Sequence, residues 1–163
     1  MEQNPATRHW QKMLAITLSL VLLLPILAQA DQVEQLLALP EPPDGIVFEV
    51  VSGDGDALEQ LMPSLNREIQ RLRKRFPALD IAVVSHGAEQ FALQSDAAGE
   101  FQEVHELVQS LGESDVPVHV CGTHASWRDK TIEDFPDYVD VSPSGPAQIN
   151  QYIDMGYIHI LVD

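Results

Sequence analysis

Cys121 is the only cysteine in 163 residues, and His124 follows it by three positions in VHVCGTHASW, residues 118–127. His86 lies upstream in DIAVVSHG, residues 80–87. Three chemistries fit a lone thiol near imidazoles. Its thiolate can act as a nucleophile and carry sulfur. With two imidazoles it can form part of a metal site. Or it is a small hydrophobe in the core, since free cysteine is among the most buried residue types. The set Cys121, His86 and His124 lacks a strong zinc spacing and no fourth ligand is evident, so no metal is assigned. No cofactor is assigned either. There is no nucleotide fingerprint, SGDGD at 52–56 is too poor in glycine pattern for a phosphate loop, and no Ser/His/Asp order is apparent.

The choice between these chemistries depends on the elements that hold the residues. IVFEVV (46–51) is a short apolar run with the near-continuous hydrophobicity of a strand buried on both faces. Further strands are predicted in DIAVVSHG (80–87), VPVHVCG (116–122), YVDVSPSG (138–145) and YIHILVD (157–163). Between the first two, Leu58, Leu61, Met62, Leu65, Ile69 and Leu72 recur at helical spacing. Asp56 and Glu59 form a capping-box-like start, Pro63 is expected to kink the run or delay its start, and Pro77 ends it. Residues 88–94 read as a turn of helix, and 101–114 as an amphipathic helix stopped by Gly112. Short helices are predicted over 124–135 and 147–156. The alternation predicts an α/β fold, a single three-layer domain with a mostly parallel sheet flanked by helices.

In open parallel sheets, ligands bind beyond the carboxyl ends of the strands. His86 ends the second predicted strand, Cys121 ends the third, and Ser142 and Ser144 follow the fourth. Cys121 also opens the next helix, where the dipole and free N–H groups favour a thiolate. His124 is placed to assist as a base or a cationic neighbour. Gly87, Gly122 and Thr123, with Ser142 and Ser144, are the candidate ligand-binding positions, and the N–H groups after Cys121 are candidate anion stabilisers. His105 reads as surface or packing, and His119 and His159 as structural strand residues. Trp127 is either a lid over the thiol or an anchor at a subunit contact. Arg71–Arg75, RLRKR, is the only basic cluster; it reads as a solvated helix end or as a docking patch.

The net charge of −16 argues against nucleic-acid binding, because phosphates would be repelled. At the N-terminus, Arg8 and Lys12 precede the apolar stretch 13–28, and Ala28-Gln29-Ala30 fits a cleavage signal. Residues 1–30 are therefore expected to be a signal peptide and the location periplasmic, with no stable membrane span after cleavage. Residues 31–44 are expected to be a loose arm of at most one or two helical turns, and 45–163 the folded domain.

The stretch 45–163 resembles the DsrE/DsrF-like family, related to the sulfur-relay subunits. The residues that carry the resemblance are IVFEVV, IAVVSHG, VPVHVCGTHAS, VSPSGPAQI and GYIHILV. The resemblance implies a five-stranded sheet and assembly into a homo-oligomer, a trimer or hexamer. It also implies a cysteine at Cys121 that carries sulfur as a persulfide between a donor and an acceptor protein, with His86 bordering the pocket. Several relatives have a second cysteine where this chain has His124, and the relay proteins work in the cytoplasm. The alternative function is a non-enzymatic oligomeric module that binds a small ligand or a metal.

Overall fold

The computed structural model describes residues 32–162. The expected signal peptide, residues 1–30, lies outside the described residues. Five strands form one sheet: β1 (Ile46–Val50), β2 (Ile81–Ser85), β3 (Val118–Cys121), β4 (Asp140–Ser142) and β5 (Ile158–Val162). Their spatial order is β4-β3-β2-β1-β5, and every neighbouring pair is parallel. The sheet expected to be mostly parallel is wholly so. Four α-helices follow the strands: α1 (Ala57–Arg75), α2 (Gln102–Glu113), α3 (Gly122–Ser126) and α4 (Gly145–Asp154). Short 3-10 turns occupy Ala88–Leu93, Ser95–Ala97 and Ile132–Asp134.

The handedness of parallel crossovers explains where the helices go. From β1 to β4 the chain steps steadily in one direction, and right-handed crossovers then put the connecting helices on one face. Ile46, Phe48, Val50, Val83, Val118 and Val120 meet α1 and α2 there in one large buried cluster. The step from β4 to β5 reverses direction, so α4 must cross the other face. It packs Ile149 and Tyr152 on Val47, Ala82 and Val84. Each fully buried Val, Ile or Phe side chain among these contributes about 1.5–3 kcal/mol.

Several local expectations are revised. α1 starts at Ala57 and contains Pro63, so the proline does not delay its start. Asp56 makes no side-chain cap; instead the Asp54 carboxylate accepts the Asp56 N–H, and Ser52 Oγ accepts that of Asp54. The short acids and serine thus satisfy the loop rather than the helix. Gly112 lies inside α2, and the turn that follows is made by Asp115 at φ 57°. Arg73 holds that turn by donating to the Ser114 and Asp115 carbonyls. The helix expected over 124–135 ends at Ser126. Asp129 takes a left-handed turn at φ 56°, and Thr131 then caps Ile132–Asp134 with a reciprocal capping box.

The N-terminal arm holds a short helix of the length expected, and this helix is packed on the domain. Residues 32–37 are helical, with Val33 and Leu36 buried in the large cluster. The basic cluster secures this segment: Arg71 pairs with Glu34 and Glu68, and Arg75 donates to the Leu39 carbonyl. Arg71 and Arg75 are therefore intramolecular ties, neither a purely solvated end nor an unoccupied docking patch. Among the described residues no helix is long and apolar enough to cross a membrane.

Beneath α4, His119 of β3 lies between two hydroxyls, with Nε2 2.8 Å from Tyr152 Oη and Nδ1 3.2 Å from Ser142 Oγ. Burial holds its imidazole below the usual range, against a smaller opposing pull from Asp140. The unfolded chain therefore takes up a proton first as pH falls. Stability from this site is full above the ordinary imidazole value of about 6.5 and is lost as pH drops through the lower folded value. Urea unfolding between about pH 8 and 5 should show this loss, and His119→Gln should reduce it.

Candidate functional site at the carboxyl edge of the sheet

The carboxyl ends of β2 and β3 bring His86, Cys121 and His124 together. Cys121 closes β3 with extended backbone and is the N-cap of α3, and its Sγ accepts the His124 backbone N–H at 3.4 Å. The His124 ring turns back, and its Nδ1 lies 2.9 Å from the His86 carbonyl. A carbonyl only accepts, so Nδ1–H donates and the neutral ring carries its lone pair on Nε2. Phe91 and Trp127 flank that ring, with centroids 5.2 and 5.4 Å away. Trp127 itself is 75 % exposed.

The start of α4 completes the site. A Cβ placed on Gly145 would lie 2.6 Å from the His86 Cβ and 3.3 Å from the Cys121 Cβ. Glycine is needed because the helix backbone comes down directly onto these two residues. The return crossover that sends α4 across the second face therefore brings its N-terminus, the positive end of its dipole, to Cys121. Cys121 itself is only 5 % exposed.

Two side chains not singled out in the sequence build the site's frame. Gln90 has no exposure, and its amide makes a two-point clamp on Cys121: Oε1 accepts the Cys121 N–H at 2.8 Å and Nε2 donates to the Cys121 carbonyl at 3.3 Å. Glu89, also fully buried, accepts from Ser52 N–H, Ser85 Oγ and Gly87 N–H at 2.7, 2.7 and 2.9 Å. The sequence signal was the polar pair inside AEQFAL, two long polar side chains in a turn between buried elements. A third missed residue is Glu49 of β1, 2.6 Å from His86 Nε2 and 2.5 Å from His159 Nε2. One acid in an otherwise apolar buried strand was its signal.

The candidate ligand-binding positions divide. Gly87 spends its N–H on Glu89, and a side chain there would strike the Ser52 carbonyl at 2.3 Å, so this glycine serves packing. Thr123 gives both its N–H and its hydroxyl to the Pro143 carbonyl. Ser142 is buried and donates to Gln148 Oε1 while facing His119. In these three the donor groups already have partners within the chain. Gly122 packs on the Ser142 carbonyl, where a Cβ would lie 3.1 Å away. Ser144 is the N-cap residue of α4 but makes no side-chain cap. Of the N–H groups expected to stabilise an anion, that of His124 is on the sulfur and that of Thr123 is not available.

His105 is a packing residue, bonded to the Ala92 carbonyl and Tyr138 Oη. Among the described residues no three His, Cys, Asp or Glu side chains converge to hold a metal ion. A cavity of about 620 Å³ lies at the amino ends of β3 and β4, lined by Glu113, Asp115, Asp137 and Asp140 among others, at the opposite edge from Cys121.

The pattern of the DsrE/DsrF-like family matches residues 48–161. No curated protein matches the chain. Among solved structures, MTH1491 from Methanobacterium thermoautotrophicum, a protein of unknown function, is similar at 22% identity and a TM-score of 0.60, over 71% of this chain and 96% of that one. The ychN protein from E. coli is similar at 16% identity and 0.53, over 72% and 98%. BT1422 from Bacteroides thetaiotaomicron, a conserved protein of unknown function, is similar at 10% identity and 0.51, over 73% and 95%. At these identities the likeness is one of fold.

Gln90→Ala should leave the Cys121 N–H without its buried acceptor, at about 1–3 kcal/mol, while the carbonyl keeps the first hydrogen bond of α3. Urea denaturation measures that loss. Gly145→Ala should cost about 1–3 kcal/mol by overpacking and should speed alkylation of Cys121 as α4 is displaced.

Proposed function

Because the chain belongs to the DsrE/DsrF-like family, a sulfur-relay-related family, we propose that it handles sulfur through Cys121 as a persulfide carrier. The observation that carries this reading is the placement of Cys121. The thiol closes a parallel strand at the carboxyl edge, accepts the His124 N–H and lies under the N-terminus of α4. N–H groups and a helix N-terminus favour negative charge on sulfur, which is the reactive form.

The transfer balances as two exchanges. The Cys121 thiolate attacks the sulfane sulfur of a polysulfide. A new S–S bond forms, the old one breaks, and the shortened chain leaves with the electron pair. A partner thiolate then attacks the outer sulfur of the Cys121 persulfide, and the Cys121 thiolate leaves. No external oxidant is needed, because zero-valent sulfur is passed on. The near-complete burial of Cys121 suits a small or extended donor that reaches one sulfur at a time. Gly122 and Ser144 remain the positions beside the thiol open to a ligand.

The same reading places the protein in the periplasm after removal of residues 1–30, and as a homo-oligomer, a trimer or hexamer. Support for export is the basic, apolar and Ala-Gln-Ala sequence of that segment. Support for assembly is the exposure of Ile153, Met155 and Leu161. The competing reading, a purely structural thiol, is favoured by the burial of Cys121 alone.

Incubation of the folded protein with polysulfide should add ~32 Da per sulfur to Cys121, and Cys121→Ser should abolish the gain. A thiol that reacts only after denaturation would support the structural reading instead. Cell fractionation with intact-mass analysis should find a periplasmic chain beginning at Asp31; a full-length chain retained in the cytoplasm would overturn the export reading.

A further inference from the structure

Glu49 is the one charged side chain in β1, IVFEV. Strand alternation turns it to the α4 face with Val47. Each of its carboxylate oxygens meets a different imidazole, His86 Nε2 at 2.6 Å from Oε1 and His159 Nε2 at 2.5 Å from Oε2. A carboxylate accepts and does not donate, so both Nε2 atoms carry protons. That bond sets the neutral His86 tautomer, with the proton on Nε2 and the lone pair on Nδ1. Among the described residues, His86 Nδ1 has no hydrogen-bond partner.

The surroundings make this tautomer matter. His86 and Cys121 both press on Gly145, so their side chains leave the backbone on the same side and close together. Of the other ionisable groups nearby, His124 has its Nδ1 held by the His86 carbonyl, and the Glu89 carboxylate is taken up by Ser85 Oγ and the Ser52 and Gly87 N–H groups. The end of α4 that packs here presents Gly145 and Pro146, neither charged. Among the described residues, the ion-pair partners of Glu49 are His86 and His159 alone.

We infer that Glu49 is a positioning residue for proton transfer at Cys121: it holds His86 in the tautomer whose Nδ1 takes the thiol proton. In that step the S–H bond breaks, the N–H bond forms, and the electron pair stays on sulfur. Glu49 faces the resulting imidazolium across a short charge-assisted bond. His159, on the edge strand β5, holds the second oxygen, so the carboxylate cannot rotate away from His86. The inference rests on the sulfur-handling reading for its purpose, but its geometry can be tested separately.

Iodoacetamide labelling of Cys121 from about pH 5.5 to 9, in the range where imidazole titrates, is combined with nitrogen NMR of the histidine rings. Wild-type His86 is expected as the Nε2–H tautomer. Glu49→Gln should retain cooperative melting, disturb that tautomer and slow labelling near neutral pH roughly tenfold or more. His86→Asn should slow it similarly, and the double variant should be no slower than the slower single one, because both act on one step. His159→Gln, which leaves the His86 bond intact, gives a milder form of the same change if Glu49→Gln fails to fold. Labelling profiles for Glu49→Gln and His159→Gln that superpose on wild type would overturn the inference, as would additive losses in the double variant. Wild-type Cys121 that resists labelling until denatured would remove the sulfur-handling reading. The ring tautomer would then still decide whether Glu49 sets His86.

Discussion

A buried carboxylate organises the working edge of this sheet. Glu89 lies out of reach of water and is satisfied by three donors from two separate stretches: the loop after β1 at Ser52, and the end of β2 with its turn at Ser85 and Gly87. A charge moved from water to the interior without partners costs several kcal/mol. Hydrogen bonds to a charged group contribute about 1.5–3 kcal/mol each. The three bonds make this acid tolerable only when both stretches are in place, so it couples their positions. Gln90, next in sequence, extends the same frame to Cys121. The 3-10 turn Ala88–Leu93 thus fastens the ends of three strands.

The second determinant is topological. A parallel sheet built outward from β1 to β4 leaves one face covered and the other open. Among the described residues, the reversal from β4 to β5 supplies the helix for the second face. That reversal starts at the carboxyl edge, so the first turn of α4 must pass over the neighbouring strand ends. The absence of a side chain at Gly145 lets it pass closely. The site is therefore a by-product of closing the second layer: one return crossover covers Val47, Ala82 and Val84 and also encloses the thiol.

The strands were legible because their signal is local. β1, β2 and β3 are short apolar runs bounded by turn residues, and their burial follows the pattern. The edge placement of His86 and Cys121 followed from the strand–helix alternation. What could not be read was the destination of each polar group. Gln90 acts 31 residues away from itself, and Glu49 reaches His159 across 110. Neither spacing has a sequence signature, because the sheet order that creates it is a property of the whole fold. The hydroxyl partners of the serine and threonine candidates were hidden for a related reason. Position at the correct edge makes a hydroxyl available only if the chain does not use it first, as Pro143 uses Thr123 and Gln148 uses Ser142. Helix ends were misread where Asp115 and Asp129 took left-handed turns that the sequence favours only weakly.

The pairing of β5 with β1 has a kinetic consequence. Ile46 aligns with Ile158 and Val50 with Val162, so β1 lacks one of its two neighbours until residues 158–162 have been made. Until then β1 has an open hydrogen-bonding edge, and the apolar face beneath α4 has no cover. Contacts this distant in sequence are slow to close and leave hydrophobic strands exposed to other chains in the interval. Among the strands of this sheet, then, the first to be made is left waiting for the last.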